Sequence, residues 1–370
     1  MCTARSRRGD RGDCRLPSVR AAGGWGRPVR ILMLSHYFPS GQMTHVFALA
    51  RELARQGHDV HVVNGRVRTS RQWRYVRTLA GQVPCSVRLG AARLTALARR
   101  LRPHVIHAHS KRTFALGAWL SRRTGIPLII TCHARTLIRP EYEPAFAQAC
   151  RIICPWETLA AEMGPRGGRT RVIPNGIDLE QFPFRERPPR ATLRVLYLGR
   201  VDQLRRAGVE ALCRAVLGLP GVELVLASDR PGAPWVQHVG WLANPAPWLA
   251  DSDVVVGTGR AVLEGLATGC AALVLGEGWN GLLTPANAAS LARDNFIGRA
   301  GAVRPTPDAI RHALVQLQQD AGLRRSLAVW GRRFVEERFD IRQVAAQTAG
   351  LYAEVLEEAC IRRRQRHSGG

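Results

Sequence analysis

From Val29 onward the chain alternates short apolar runs of strand character with amphipathic stretches at helical spacing, and after one interruption it does so a second time. VRILMLSHYF is the first such run; it ends in the loop Pro39-Ser40-Gly41, followed by the helical THVFALARELARQG, which Gly57 closes. HDVHVVNG, HVIHAHS and IPLIITCHA read as further strands, with AARLTALARRLRP and FALGAWLSRRTG as helices between them. Strands separated by helices of this length form βαβ units, so the expected core is a parallel sheet covered on both faces. Sheets of this kind bind ligands at the carboxyl ends of their strands. The loops there carry His36, Ser40, Gly41, His109, Ser110 and His133.

The interruption is PNGIDLEQFPFRERPPRAT, where prolines and charges replace apolar periodicity, as in a linker. LRVLYLGR, VELVLAS, QHVGW and CAALVLGEG then restart the strand pattern, and the last part reads as helix. The expected division has residues 1–28 as a disordered basic tail and 29–175 as a Rossmann-like domain. A linker at 176–192 leads to a second Rossmann-like domain at 193–335. A helix at 336–360 packs back toward the first domain, and 361–370 form a basic tail. The expected fold class is α/β, two Rossmann-like domains facing across a cleft, with C-terminal helices. A ligand would sit between them.

DVVVGTGRAVLEGLATG, at 253–269, joins a buried strand to a helix through a glycine-flanked turn. Helix N-termini carry free N–H groups and partial positive charge, so they suit phosphate. Gly257 and Gly259 allow close backbone approach, Arg260 adds a cation, and Glu264 lies one turn further on, where a carboxylate accepts hydrogen bonds from a ribose diol. The same segment also reads as an ordinary strand-to-helix junction with Glu264 on a solvated face.

The charge is uneven: residues 1–150 hold 26 basic and 6 acidic residues, against 28 and 22 in the remainder. Such a surface suits nucleic acid or an anionic membrane face, or it merely solubilises. No reading module for nucleic acid accompanies it, so nucleic acid is not the expected partner. No run of about 18 apolar residues marks a membrane span. The cysteines at 2, 14, 85, 132, 150, 154, 213, 270 and 360 form no CxxC pair and read as free thiols of a reducing cytoplasm. His107 and His109 alternate along one strand, so one is expected toward the core and the other toward the surface.

Several segments together resemble the retaining glycosyltransferases of GT-B fold in the group 1 (family 4) set. RVIPNGIDLEQF (171–182) is similar to the interdomain signature of that family, LYLGRVDQLRR (196–206) to its strand–Gly-Arg–basic motif, and GWLANPAPWLADSDVVVG (240–257) to the stretch before the donor site. The resemblance runs from about residue 29 to 358. It implies that Arg200 and Arg205 act on the donor diphosphate, with Gly199 in the same motif, and that Glu264 holds the ribose. Gly257, Thr258, Gly259 and Arg260 would form the phosphate loop. Gly41 would lie near the distal phosphate, and His133 beside the transferred sugar. It further implies a nucleotide-sugar donor as substrate and a cell-envelope glycan, lipopolysaccharide among them, or a lipid-linked acceptor. No cofactor and no tightly bound metal are implied, and the location is cytoplasmic, peripheral at the inner face of the membrane. Arginine in place of the usual lysine at 205 still suits phosphate oxygens.

The departures fall on the sugar side. The family pattern places a first carboxylate eight residues before the second; here that position is Val256, and the next apolar position of the loop is Arg260. NFIGR at 295–299 has no assigned role. Other readings open at this point are a GT-B epimerase or phosphorylase, and a non-catalytic scaffold or nucleic-acid binder.

Overall fold

The structure, a computed structural model, describes residues 28–87, 90–188, 190–299 and 301–368. The expected N-terminal tail up to residue 27 lies outside the described residues.

The first sheet has seven parallel strands: β1 (Arg30–His36), β2 (Asp59–Gly65), β3 (Cys85–Ser86), β4 (Val105–Ala108), β5 (Leu128–Thr131), β6 (Arg151–Cys154) and β7 (Thr170–Val172), in the order β3-β2-β1-β4-β5-β6-β7. Its central strands are buried on both faces, which is why they read as continuous apolar runs. α1 (Gly41–Arg55) and α2 (Ser70–Ala80) follow β1 and β2, and α3 (Ala91–Leu101) and α4 (Lys111–Thr124) flank β4. α5 (Glu143–Gln148) and α6 (Glu157–Ala161) are short. α1 buries Met43, Val46, Phe47, Ala50 and Leu53, a stripe at spacings of three and four. Ser110 and Thr113 cap α4 reciprocally.

The second sheet comprises β8 (Leu193–Leu198), β9 (Val222–Ala227), β10 (Gln237–His238), β11 (Val254–Gly257), β12 (Ala271–Leu275) and β13 (Trp279–Leu282), ordered β10-β9-β8-β11-β12-β13. Only β13 runs antiparallel. Around it lie α7 (Arg206–Val216), α8 (Ala246–Ala250), α9 (Arg260–Thr268), α10 (Pro285–Ala292), α11 (Pro307–Gln319) and α12 (Ala321–Phe339). In each sheet the strand order reverses once, between β1 and β4 and between β8 and β11. At those points the loops diverge to opposite faces and leave a crevice. α9 is buried from Ala261 to Thr268, and Gly265 lets it lie directly on Val255, where a Cβ would overlap.

The C-terminal helices differ from the expected 336–360 boundary. α12 ends at Phe339, and a separate α13 (Ile341–Ser368) begins after Asp340. Ile341, Val344, Ala345, Ala349, Leu351, Tyr352 and Val355 join the core of the first domain, packing with Val46, Phe47 and Leu49. The residues expected to form a basic tail from 361 continue α13 to Ser368. Arginine and glutamine are good helix formers, and Arg362 pairs with Glu358 one turn back.

The chain therefore crosses between the domains twice, and the two crossings touch. Ile177 N donates to the Phe339 carbonyl at 2.7 Å, and Ile341 N donates to the Ile177 carbonyl at 3.0 Å. Gly176 is required there, since a Cβ would stand 2.6 Å from Ile341 Cδ1 and 2.8 Å from its Cα.

Candidate active site

The two strand-order reversals face one another across a cleft of about 1240 Å³, mouth included. Ser40, Gly41 and Gln42 at the start of α1, Tyr75 on α2, His133 after β5 and Trp156 before α6 line it from the first domain. Asn175, at the end of the first domain, and Phe182 of the linker also line it. Gly199 and Arg200 after β8, Arg205, Trp241, Thr258, Arg260, Glu264 and Asn295 line it from the second domain. Of the ten residues singled out from sequence, Gly41, His133, Gly199, Arg200, Arg205, Thr258, Arg260 and Glu264 converge here.

Gly257 and Gly259 do not line the cleft. Gly257 ends β11 against β8, where a Cβ would stand 2.7 Å from the Leu198 carbonyl oxygen. Gly259 holds φ +55° as the residue before α9, a backbone region that favours glycine, and packs on Asn295. Their glycine character follows from packing. Asn295 belongs to the unassigned NFIGR segment: it and Phe296 both adopt positive φ, and Arg299 makes a bidentate pair with Glu277. The segment packs against the loop at Gly259, and Asn295 also reaches the cleft.

Arg200 extends from the Gly199 turn until its guanidinium lies 4.9 Å above the Phe38 ring of the other domain. Arg205 pairs with Asp202 at the start of α7. Glu264 is buried, which pushes its proton affinity up, while Arg260 opposes the shift. Arg260 Nη2 donates to Glu264 Oε1 at 2.8 Å, and Nη1 donates to the Gly176 carbonyl at 2.6 Å. Val256, at the position of the missing carboxylate, points into the hydrophobic core beside Tyr197 and Leu273. No carboxylate from that position reaches the cleft.

His133, half-buried, adjoins the buried histidines His45, His107 and His109. Its Nε2 is hydrogen-bonded to His109 Nδ1 at 3.4 Å, and its ring meets His45 edge-on at 5.8 Å. The His107 ring lies tilted by 38° against His109 with ring centres 3.9 Å apart, and it bonds Tyr352 of α13 and Thr131, each at 2.7 Å. Burial lowers all four pKa values, to about 3 for His107 and His133. The expectation that one of His107 and His109 faces the surface is corrected: both are fully buried. β4 is a central strand, and α13 and the loop after β5 cover its end.

Sequence reasoning missed the aromatic and amide part of the site. The Tyr75 hydroxyl, Trp156 Nε1, Asn175 Oδ1 and Trp241 Nε1 are buried without hydrogen-bond partners, as is His133 Nδ1, and all five residues line the cleft. Trp241 N–H stands near enough to the Tyr75 hydroxyl to ease its proton loss, against the stronger opposing effect of burial, yet no well-formed bond links them. Buried polar atoms seldom stay unsatisfied, so these call for water or a polar ligand. The linker acids are structural: Asp178 caps Glu180 N and Gln181 N and pairs with Arg51, while exposed Glu180 pairs with Arg55.

Residues 39–181 match the family model described as Glycosyltransferase Family 4. The chain is 26% identical over 369 residues to the phosphatidyl-myo-inositol mannosyltransferase of Mycolicibacterium smegmatis, covering 88% of this chain and 94% of that one. Among solved structures it is similar to Anabaena Alr3699/HepE in complex with UDP and glucose, with TM-score 0.68, 16% identity and coverage of 88% and 100%. It is also similar to the sucrose-phosphate synthase of Thermosynechococcus elongatus, with TM-score 0.64, 19% identity and coverage of 89% and 100%.

Proposed function

We propose that this chain, a glycosyltransferase of the group 1 set built on the GT-B fold, moves a hexosyl group from a nucleoside-diphosphate donor to a cell-envelope glycan or lipid-linked acceptor, with retention at the anomeric carbon. The observation that carries the donor half is the set of unpartnered buried polar atoms converging on the cleft from both domains beside Arg200 and Arg205. A nucleotide sugar is rich in hydroxyls and carbonyls that satisfy such atoms, and its diphosphate needs cations. Two of the similar solved structures hold UDP with glucose or UDP-glucose.

In this reading Arg200 and Arg205 hold the diphosphate and stabilise the charge it gains as the glycosidic bond breaks. Both stand on fixed turns at strand and helix ends, so little reorganisation accompanies the reaction. Glu264 accepts from the ribose diol through the oxygen that Arg260 does not bind. His133, neutral because buried, offers Nδ1 to a hydroxyl of the transferred sugar. Gly41 leaves the α1 terminus open to the distal phosphate. A tightly held divalent cation is not part of this reading, since the arginines supply the positive charge. The protein acts from the cytoplasmic side, peripheral to the membrane; no described helix is long and apolar enough to cross one.

The test is a thermal-shift series of the full chain with UDP, GDP and ADP and their common sugars, repeated with Glu264→Ala and Arg200→Ala. A ligand that binds only the folded state raises the melting temperature. A shift with one nucleotide that both variants lose supports the donor site and names the base. No shift with any of them in folded wild-type protein sinks the reading. Transfer that survives a chelator supports metal independence, and conversion of the donor sugar without acceptor points instead to an epimerase.

A further inference from the structure

Asn295 opens the NFIGR segment and lines the cleft together with Thr258, Arg260 and Glu264. Its backbone is held at φ +52°, and so is that of Phe296. Asparagine tolerates this left-handed region, but a phenylalanine there is strained. Packing holds the strain in place. The Phe296 ring is buried against Phe334 and Phe339, and Phe296 N donates to the Leu291 carbonyl at 2.9 Å. Two successive left-handed residues thus send one side chain into the core and leave its neighbour at the cleft.

The turn is fastened from three directions. On the side of β13, Glu277 N donates to the Ile297 carbonyl at 3.1 Å, and Glu277 holds Arg299 through both carboxylate oxygens. From the first domain, Thr158 N donates to the Arg293 carbonyl at 3.1 Å and Thr158 Oγ1 donates to Asp294 Oδ1 at 2.8 Å. Against the loop before α9, Asn295 Nδ2 lies 3.3 Å from where a Cβ of Gly259 would stand. The amide is therefore placed by its surroundings before any ligand arrives, which lowers the entropy lost on binding.

Its polar atoms are uncommitted. Arg205, Arg260 and Glu264 are tied in ion pairs, Arg200 lies on Phe38, and Gln42 donates to the His109 carbonyl. The Asn295 side chain makes no hydrogen bond among the described residues. An amide both donates and accepts, as a hydroxyl does, whereas a phosphate oxygen only accepts. Val256 lies in the core, so no carboxylate reaches the cleft from its position. We propose that Asn295 binds a hydroxyl of the transferred hexosyl group, on the side of the cleft that this missing carboxylate leaves without a partner for the sugar. The assignment rests on the glycosyltransferase reading above.

The experiment is calorimetric titration of the full chain, as wild type, N295G and N295D, with UDP against UDP-glucose, GDP against GDP-mannose and ADP against ADP-glucose. Glycine keeps the left-handed backbone and removes the amide, and aspartate keeps the shape and an acceptor. In the pair that wild type binds, N295G is expected to weaken the sugar conjugate about fivefold, as the loss of one neutral hydrogen bond does, and to leave the bare diphosphate within about twofold. N295D is expected to keep most of the affinity for the conjugate. Diphosphate and conjugate weakened alike in N295D put the amide against a phosphate and overturn the proposal. An unchanged conjugate affinity in N295G also overturns it, while the donor site stands. Binding of no pair by folded wild-type protein sinks the donor reading itself, and this proposal with it.

Discussion

Arg260 and Glu264, one turn apart on α9, form an ion pair in which each side chain is only 9% exposed. Arg260 also reaches the Gly176 carbonyl, so the carboxylate proposed to hold the ribose is fixed by the same guanidinium that fastens the interdomain crossing. Where the family pattern has an apolar residue, this chain has a clamp.

Breaking that clamp on one side leaves a buried charge unpaired. Glu264→Gln is expected to lose about 3–5 kcal/mol of stability together with the nucleotide response. Glu264→Gln with Arg260→Leu restores most of the stability without restoring the response. Urea unfolding and thermal shifts with nucleotide measure both. A double variant as unstable as the single one contradicts the pairing.

The buried histidines make the fold acid-labile. His45, His107, His109 and His133 have folded pKa values depressed by burial, so below the unfolded value near 6.5 the unfolded chain binds more protons than the folded one. The stability they allow is complete above that pH and is lost as pH falls toward their folded values, by up to about 1.4 kcal/mol per histidine per pH unit. A melting temperature that falls steeply between pH 6.5 and 5 is expected; a flat profile refutes it.

Tyr352→Phe removes one of the two bonds of His107 while keeping the ring that packs beside it. A loss of about 1–3 kcal/mol is expected, since His107 Nδ1 stays buried. Denaturant unfolding checks this, with no change in m-value. An unperturbed midpoint shows that the hydroxyl is dispensable.

Gly176→Ala forces a methyl group into Ile341, including its backbone, and is expected to cost about 1–3 kcal/mol. Gly167→Ala, where nothing stands within 4 Å, is the control and is expected to be nearly neutral. Equal melting temperatures for the two variants argue against tight packing at the crossing.

The alternation of apolar runs carried both sheets, because parallel strands covered on two faces leave a continuous signature that needs no partner to be read. Arg200 and His133 could be picked out for a related reason: each lies just beyond a strand end, while Glu264 follows one turn into the helix that the glycine-flanked turn announces. Tyr75, Trp156, Asn175 and Trp241 carry no such local mark; helices and loops far apart in sequence bring them together. The expectation for His107 and His109 failed because residues two apart along a strand direction share one face, and here their rings lie 3.9 Å apart on a covered face. Val256 shows what replaces the missing carboxylate: core packing, with no polar substitute from that position. The terminal helix was misjudged because an arginine-rich end reads the same in a tail as in a helix. A carboxylate one turn back, at Glu358, favours the helix.

The paired crossings at Ile177 and Ile341 act as a single axle. Two strands of chain bonded side by side give way most readily to rotation about the line they share, and sliding one domain across the other breaks both bonds. Through Arg260, the Glu264 carboxylate is tied to Gly176, next to that axle. Phe38 and Arg200 meet by stacking between the two domains, with no covalent tether between them. If Glu264 holds the donor ribose as proposed, the donor is anchored near the line about which the two domains turn most freely.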